Sequence, residues 1–249
     1  MKIAIFTSEE YAFLYGAWQR TIPELQKSHD VVGLWLFPDI LKNLRGWHVP
    51  VWYVCTFGLL TTVALALRAL VTRLAERGNY ESLARFHGVS FHRARTPNAP
   101  EVVQWVKDQQ IDVVLITVGF IIKQPLIDAV RVAVVNKHSA LLPSCRGLLP
   151  VFWTLLTGET PVGVTVHKID TEIDHGEIIL QRAYPEFRGS VYDAYTMIYR
   201  DMPELLTAAI HALETGERAL VTAPRHVSYH SLPSRADVRL FRAKGLRFV

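Results

Sequence analysis

Short apolar runs rich in β-branched residues alternate along the chain with stretches whose apolar positions recur at helical spacing. The apolar runs predict strands at residues 2–7, 30–37, 89–92, 111–119, 130–138, 163–170 and 176–184. The helical spacing predicts helices near residues 11–27, 80–87, 100–108, 190–213 and 236–242. This alternation predicts an α/β fold, with a mostly parallel, twisted sheet covered by helices on both faces.

Two of the predicted elements carry further signals. The run at 111–119 is almost continuously apolar, which is typical of a parallel strand buried on both faces. Ser190 is a candidate N-cap with Asp193 three residues later, and Gly216 is a candidate stop for the same helix. We therefore expect one domain over residues 1–216, followed by a short C-terminal extension over residues 217–249.

A hydrophobic segment interrupts the alternation. Residues 49–67 carry no formal charge, and Arg68 ends the run. Pro50 and Gly58 break its first half, so we expect a hydrophobic helical insertion at about 49–78, with its helix from about 58 to 76. That helix would pack on the protein body, on a second copy in a homodimer, or on a membrane surface through residues 49–75. A membrane span is disfavoured because the segment lies inside the α/β pattern.

Composition and charge narrow the classes of function. Half of the 249 residues are hydrophobic and the net charge is +4, without a dense block of lysine or arginine. These values are typical of a globular protein and argue against nucleic acid as a partner. Cys55 and Cys145 have no CxxC partners, so neither a disulfide framework nor a thiolate metal site is expected. This cysteine usage, with an N-terminus unlike a signal peptide, favours a cytoplasmic protein, membrane-associated if residues 49–75 bind lipid.

Polar side chains cluster after the strands in the second half of the chain. Ligands of open α/β sheets bind beyond the carboxyl ends of the strands, so we consider the residues after 111–119, 130–138 and 163–170. Asn136 and His138 end one strand, and Asp174 lies in a short acidic loop. An imidazole beside a carboxylate can transfer a proton, and an amide N–H can stabilise an oxyanion. The set suits attack by an amine on a carbonyl carbon.

These residues belong to a longer ordered pattern. It comprises Asn136-x-His138, Leu141-Leu142-Pro143, Arg146-Gly147, Trp153, Gly158-Glu159, Gly163-Val164-Thr165, Ile169-Asp170, Ile173-Asp174-x-Gly176 and Ile178. The pattern resembles the signature of folate-dependent formyltransferases, which include methionyl-tRNA, glycinamide ribonucleotide and nucleotide-sugar formyltransferases. The resemblance is strong from about residue 112 to 181 and weak before it, and it implies a Rossmann-like formyltransferase fold.

The resemblance implies a mechanism and a formyl donor, 10-formyltetrahydrofolate, with no metal. Asn136 and protonated His138 would stabilise the oxyanion, while Asp174 holds His138 charged and helps to move the amine proton. By the same resemblance, the folate would contact Thr117, Val118, Gly119, Phe120, Ile121, Ile122, Asp170 and Ile173.

The chain departs from the family pattern at three positions. Ser139 and Ala140 stand where the family has Pro or Gly and then Ser, so Ser139 is a candidate substitute for the missing hydroxyl. Lys137 replaces a small apolar residue, and the alternation of a strand should direct its side chain away from Asn136 and His138.

Other chemistries fit less well. His167 and His175 with Asp170 and Asp174 match no standard metal-site spacing. Ser139 lacks the Gly-x-Ser-x-Gly elbow of a hydrolase. Cys145 is expected to be inert. Arg146 either contacts substrate or braces its loop.

The two ends of the chain bear on the acceptor. The turn after the first strand, residues 7–11, is acidic and lacks the Gly-rich phosphate cradle of glycinamide ribonucleotide enzymes. About 30 residues follow the last long helix, whereas methionyl-tRNA enzymes carry a further C-terminal domain. Residues 229–245 resemble the C-terminal segments of the compact sugar-type enzymes. We therefore expect a small-molecule amine, on a nucleotide-linked sugar or related intermediate. The alternatives are a formyltetrahydrofolate hydrolase and a non-catalytic folate- or nucleotide-binding module at a membrane surface.

Overall fold

A twisted sheet forms the centre of the protein, whose computed structural model describes residues 1–42, 44, 46–217 and 226–249. Its strands are β1 (Lys2–Ser8), β2 (Asp30–Phe37), β3 (Ser90–Arg93), β4 (Val113–Thr117), β5 (Ala133–His138), β7 (Val162–Lys168) and β8 (Ile178–Tyr184). A separate ribbon consists of β6 (Arg146–Gly147) and β9 (Tyr229–His230). Residues 218–225 of the predicted extension lie outside the described residues.

The strand order in the sheet is β3-β2-β1-β4-β5-β7-β8. The first five of these strands are parallel, whereas β7 is antiparallel to both β5 and β8. The predicted α/β fold with a mostly parallel sheet is therefore confirmed. Strand β7 does not end at the same edge as β5, because the antiparallel register places Lys168 beside Val135.

Helices cover both faces of the sheet. They are α1 (Leu14–Gln26), α2 (His48–Phe57), α3 (Leu59–Ala75), α4 (Tyr80–Phe86), α5 (Pro100–Asp108), α6 (Gln124–Ile127), α7 (Pro150–Thr157), α8 (Val191–Arg200), α9 (Met202–Thr215) and α10 (Arg235–Ala243). On one face, α1 buries Trp18 and Ile22 completely. On the other face, α5 buries Val102 and Val106 completely, so that the sheet has a separate hydrophobic core on each side.

The predicted helix at 190–213 is two helices. Ser190 and Asp193 form the predicted capping box at the start of α8, and Gly216 ends α9 in the left-handed conformation. The break between them lies at Asp201, just before Pro203 in the first turn of α9. In one continuous helix, the Pro203 ring would clash with the carbonyl of Tyr199, so the chain starts a new helix there.

The hydrophobic insertion also forms two helices. Pro50 lies in the first turn of α2, where its missing N–H has no partner to lose, so it does not prevent a helix. Gly58, with a φ of 86°, separates α2 from α3. The helix predicted at 58–76 is confirmed as α3, but none of its residues is buried. Within the described residues, no helix combines the length and apolar character needed to cross a bilayer.

Lys137 is a buried cation on the face of β5 that α8 covers. Its side chain points away from Asn136 and His138, as the strand alternation predicts, and its Nζ lies 3.6 Å from the centre of the Tyr199 ring. The Nζ also donates to the Ser139 hydroxyl at 2.9 Å. Burial lowers the pKa of Lys137 to about 7, although the Glu10 carboxylate opposes this shift. Ser139 therefore serves Lys137 on this face and does not replace the family hydroxyl on the other.

Lys137 should make stability rise with pH. Its pKa is about 7 in the folded protein against an ordinary 10.5, so the unfolded chain binds more protons between these values. The free energy of unfolding should then increase by up to ~1.4 kcal/mol per pH unit across that window. Replacing Lys137→Met should flatten this slope between pH values of about 7.5 and 9.5, measured by urea denaturation. Lys107→Met, at an exposed site, is the control, and equal slopes in wild type and Lys137→Met would contradict the prediction.

Candidate active site

The pleat of β5 places Asn136 and His138 on the same side of the strand. Asn136 lies opposite His167 of β7, and His138 lies opposite Thr165. Because successive side chains alternate, all four of these residues share one face of the sheet. His138 is 5% exposed, so the protein itself, more than solvent, supplies its polar partners.

Hydrogen bonds with side chains of β7 and β8 hold the loop after β5 in place. The Thr165 hydroxyl donates to the carbonyl of Ala140 at 2.7 Å and accepts from the backbone N–H of Leu142 at 3.0 Å. The Gln181 amide donates to the Leu142 carbonyl at 2.8 Å. Polar side chains thus satisfy the buried loop backbone, which holds the segment after His138 in one conformation.

The same loop supplies a partner for the His138 ring. His138 Nε2 lies 2.9 Å from the Cys145 carbonyl, which can only accept, so Nε2 carries a proton. Cys145 has a φ of 54°, and its backbone N–H donates to the Ser228 hydroxyl at 2.9 Å. Burial raises the pKa of the Cys145 thiol, which agrees with the expectation that this thiol is inert.

Asp174 brings a carboxylate to the other side of the His138 ring. Its Oδ2 lies 3.5 Å from His138 Nδ1 and accepts from the Gly147 N–H at 2.9 Å. Asp174 adopts a φ of 49°, a left-handed conformation that aspartate tolerates better than most residues. The loop from β7 to β8 therefore folds back over the face of the sheet to place this carboxylate.

Position 147, whose backbone N–H donates to Asp174, requires a glycine. It has a φ of 95° and pairs with His230 in the ribbon of β6 and β9. A Cβ at this position would lie 2.2 Å from the His230 carbonyl oxygen. Glycine permits this close approach, which aims the Gly147 N–H at Asp174.

His167 belongs to the site, although the sequence suggested for it only a weak metal-ligand role. Asn136 Nδ2 lies 3.2 Å from His167 Nε2, while His167 Nδ1 lies 2.8 Å from the Lys168 carbonyl. The carbonyl requires Nδ1 to be the donor, so neutral His167 accepts from the Asn136 amide through Nε2. Burial, and then the nearby charge of His138, lower the pKa of His167 to about 4. The pairing of Asn136 with His167 across β5 and β7 would have revealed this role.

Asp174 also lies close to His167. Its Oδ1 lies 3.7 Å from His167 Nε2, so the carboxylate faces both imidazoles. Asn136, His138 and Asp174 thus occur at one place, linked through His167 and Gly147. One N–H of the Asn136 amide is directed at His167, which leaves the second for another acceptor.

The predicted folate-contacting residues lie on two segments. Thr117 ends β4, and residues 118–122 form the loop that follows it. In this loop the side chain of Ile121 is 66% exposed, whereas Ile122 is buried. In the loop between β7 and β8, Ile173 is 43% exposed, and Asp170 Oδ2 lies 3.0 Å from His175 Nδ1. The described residues contain no group of three or more candidate metal ligands.

His167 should make stability fall in acid. Its pKa of about 4 in the folded protein is below the ordinary 6.5, so the unfolded chain takes up a proton first as the pH falls through that window. The free energy of unfolding should decrease there by up to ~1.4 kcal/mol per pH unit more than in His167→Gln, which keeps an acceptor for Asn136. Urea denaturation of wild type, His167→Gln and the exposed-site control His211→Gln tests this. Parallel curves for wild type and His167→Gln would rule it out.

Comparison with known proteins agrees with this fold. The chain is similar to glycinamide ribonucleotide transformylase 1 from Symbiobacterium toebii, with a TM-score of 0.61, 17% identity and coverage of 90% of this chain and 94% of that one. It is also similar to WlaRD, a sugar 3N-formyl transferase crystallised in the presence of dTDP and 5-N-formyl-THF. That likeness has a TM-score of 0.58, 18% identity and coverage of 93% and 69%. Both likenesses establish the fold.

Sequence comparison identifies the family. The formyl transferase family matches residues 66–201, more than half of the 249 residues, and the chain belongs to this family. The methionyl-tRNA formyltransferase of Trichlorobacter lovleyi is 32% identical over 141 residues, which are 55% of this chain and 44% of that protein. The chain thus spans less than half the length of this curated relative.

Proposed function

We propose that the protein is an N-formyltransferase that moves the formyl group of 10-formyltetrahydrofolate to the amine of a small-molecule acceptor. The observation that carries this proposal is the convergence of Asn136, His138 and Asp174, with Asp174 3.5 Å from the His138 ring. An amide donor, an imidazole and a carboxylate at one place suit attack of an amine on a carbonyl carbon. Membership of the formyl transferase family supports the same reaction.

The segments beside the three residues fit a flat, partly apolar donor. Ile121 and Ile173 leave 66% and 43% of their surfaces exposed on the two segments that the resemblance assigns to the folate. Large apolar side chains with a few polar groups nearby are typical of small-molecule sites. When bound, the donor supplies a formyl carbon on a nitrogen leaving group.

Asn136, His138 and Asp174 would then each have a separate role in the reaction. The second N–H of Asn136 donates to the formyl oxygen as negative charge develops on it. His138 keeps a proton on Nε2 through the Cys145 carbonyl, so Nδ1, beside Asp174, is the ring position for proton exchange. Asp174 takes up the proton that the attacking amine loses, and the proton is returned to the departing nitrogen.

The start of α1 disfavours an acceptor phosphate at that end of the sheet. The Glu10 carboxylate accepts from the backbone N–H groups of Ala12, Phe13 and Leu14, the last two at 3.0 and 2.8 Å. These are the amides that a phosphate would need at a helix N-terminus. An internal carboxylate in their place supports the proposal that glycinamide ribonucleotide is not the acceptor.

The environment of Arg146 supports an anionic acceptor that binds near this residue, away from the start of α1. Its Nε is buried and has no hydrogen-bond partner among the described residues, which is a costly arrangement for a guanidinium N–H. Arg146 is also the neighbour of Gly147, whose N–H holds Asp174. Arg146 as a whole is half-buried, so a phosphate or diphosphate would pair with the outer part of its guanidinium, and we propose a nucleotide-linked amino sugar or a related phosphorylated intermediate.

Removing the acid–base pair should abolish the reaction. His138→Asn and Asp174→Asn should each lower kcat by about 10²- to 10⁴-fold, because the first removes the imidazole paired with Asp174 and the second removes the acceptor of the amine proton. Turnover would be followed by formation of tetrahydrofolate in the presence of an amine. Asp128→Asn, at an exposed position, is the matched control. Full activity in both variants would overturn the mechanism, and release of formate without any amine would indicate a hydrolase.

Arg146 should affect the acceptor and not the donor. Arg146→Gln should raise KM for a phosphorylated amino-sugar acceptor by roughly tenfold, because a charge-assisted hydrogen bond is lost. KM for 10-formyltetrahydrofolate should stay within about twofold. A panel of nucleotide-linked amino sugars, glycinamide ribonucleotide and methionyl-tRNA identifies the acceptor by mass spectrometry. Formylation of methionyl-tRNA alone would overturn the small-molecule assignment.

A further inference from the structure

Helix α3 presents its apolar side to solvent and its small and polar side to the protein. No residue of α3 is buried. Its exposed leucines and valines are Leu59, Leu60, Val63, Leu67, Leu70, Val71 and Leu74, with exposed fractions from 46% to 87%. The half-buried side carries only one large apolar residue, and its members are Thr61, Thr62, Ala64, Leu65, Ala69, Thr72 and Arg73. A helix that only covered the body would have the opposite arrangement.

The exposed apolar residues form one continuous surface. At 100° per residue, the seven side chains fall within about a third of the helix circumference, wider than the two-position seam of a coiled coil. Helix α2 adds Trp47, just before its start, and Val51 and Val54, which are 68%, 46% and 37% exposed. Tryptophan is enriched at lipid–water interfaces, and an exposed Trp47 fits such a position. We call these residues of α2 and α3 the apolar surface.

The charges around the apolar surface are mostly positive. Residues 40–75 contain no aspartate or glutamate. Helix α10 and the residues after it carry Arg235, Arg239, Arg242, Lys244 and Arg247 against the single acid Asp237. The Arg235 side chain donates to the Cys55 carbonyl at 2.7 Å, and Arg242 donates to the Phe57 carbonyl, so α10 is joined to α2.

A groove runs between α3 and the C-terminal segment. It has a volume of about 380 Å³ and is lined by the apolar side chains of Phe57, Leu60, Ala64, Val238, Phe241, Leu246 and Phe248, together with Arg242 and Arg247. An apolar groove with two guanidinium groups suits an acyl chain beneath an anionic head group.

We propose that the apolar surface and helix α10 bind the surface of an anionic lipid bilayer. The leucines of α3 would enter the boundary between head groups and acyl chains, while the arginines of α10 contact the lipid phosphates. A second copy of this chain fits less well, because the basic rims would face each other and residues 40–75 offer no carboxylate to pair with them. This binding is independent of the proposed reaction.

Vesicle flotation tests the proposal. The full chain is mixed with phosphatidylcholine vesicles that either contain or lack phosphatidylglycerol. We expect flotation with the anionic vesicles, at least about tenfold weaker binding to the neutral ones, and release as the salt concentration rises. Failure to float with anionic vesicles, or equal binding to both kinds, would overturn the proposal.

Two variants locate the binding surface. Leu67→Glu with Leu70→Glu should lower the partition coefficient at least about tenfold, because both side chains are more than half exposed and lie in the apolar surface. Phe86→Glu is the matched control, since Phe86 is 85% exposed on α4, outside that surface. Unchanged circular dichroism would show that the variants fold. Equal binding by both proteins would disprove the assignment, as would a dimer in light scattering that the double variant dissociates without any vesicle binding.

Discussion

The carboxylate of Asp174 is the contact on which the candidate site depends. It lies 3.5 Å from His138 Nδ1 of β5 and accepts from the Gly147 N–H of β6, while neutral His167 of β7 lies beside it without donating to it. A partly buried charge costs free energy unless such groups replace its hydration. The loop between β7 and β8 must therefore close over the sheet, with Asp174 in a left-handed conformation, before the site exists. The geometry of the acid–base pair therefore depends on four segments at once, which are β5, β6, β7 and the loop between β7 and β8.

Much of this arrangement could be predicted from local patterns. Period-two alternation in β5 gave both the shared direction of Asn136 and His138 and the opposite direction of Lys137. Turn and capping chemistry located the start of α8 and the end of α9. These features depend on residues a few positions apart, which a single sequence displays directly.

The features that sequence analysis missed depend on tertiary partners. The direction of β7 is set by its pairing with β5, and without it the contact between Asn136 and His167 could not be inferred. The ribbon of β6 and β9 joins residues more than 80 positions apart. The insertion shows a similar limit, because its composition indicated a hydrophobic helix but not which side of α3 would face the protein. Pro50 was misjudged because a proline stops a helix only beyond the first turn.

The close contact between Gly147 and His230 has a consequence for how this protein can vary. The backbone of β9 lies where any side chain on residue 147 would be, so the C-terminal ribbon fixes the direction of an N–H that neutralises part of the Asp174 charge. Residues 228–230 are not among the three proposed catalytic residues, yet a shift of their backbone would move the proton acceptor. Evolutionary drift in this short ribbon should therefore be constrained like drift in an active site and unlike drift in an ordinary surface strand.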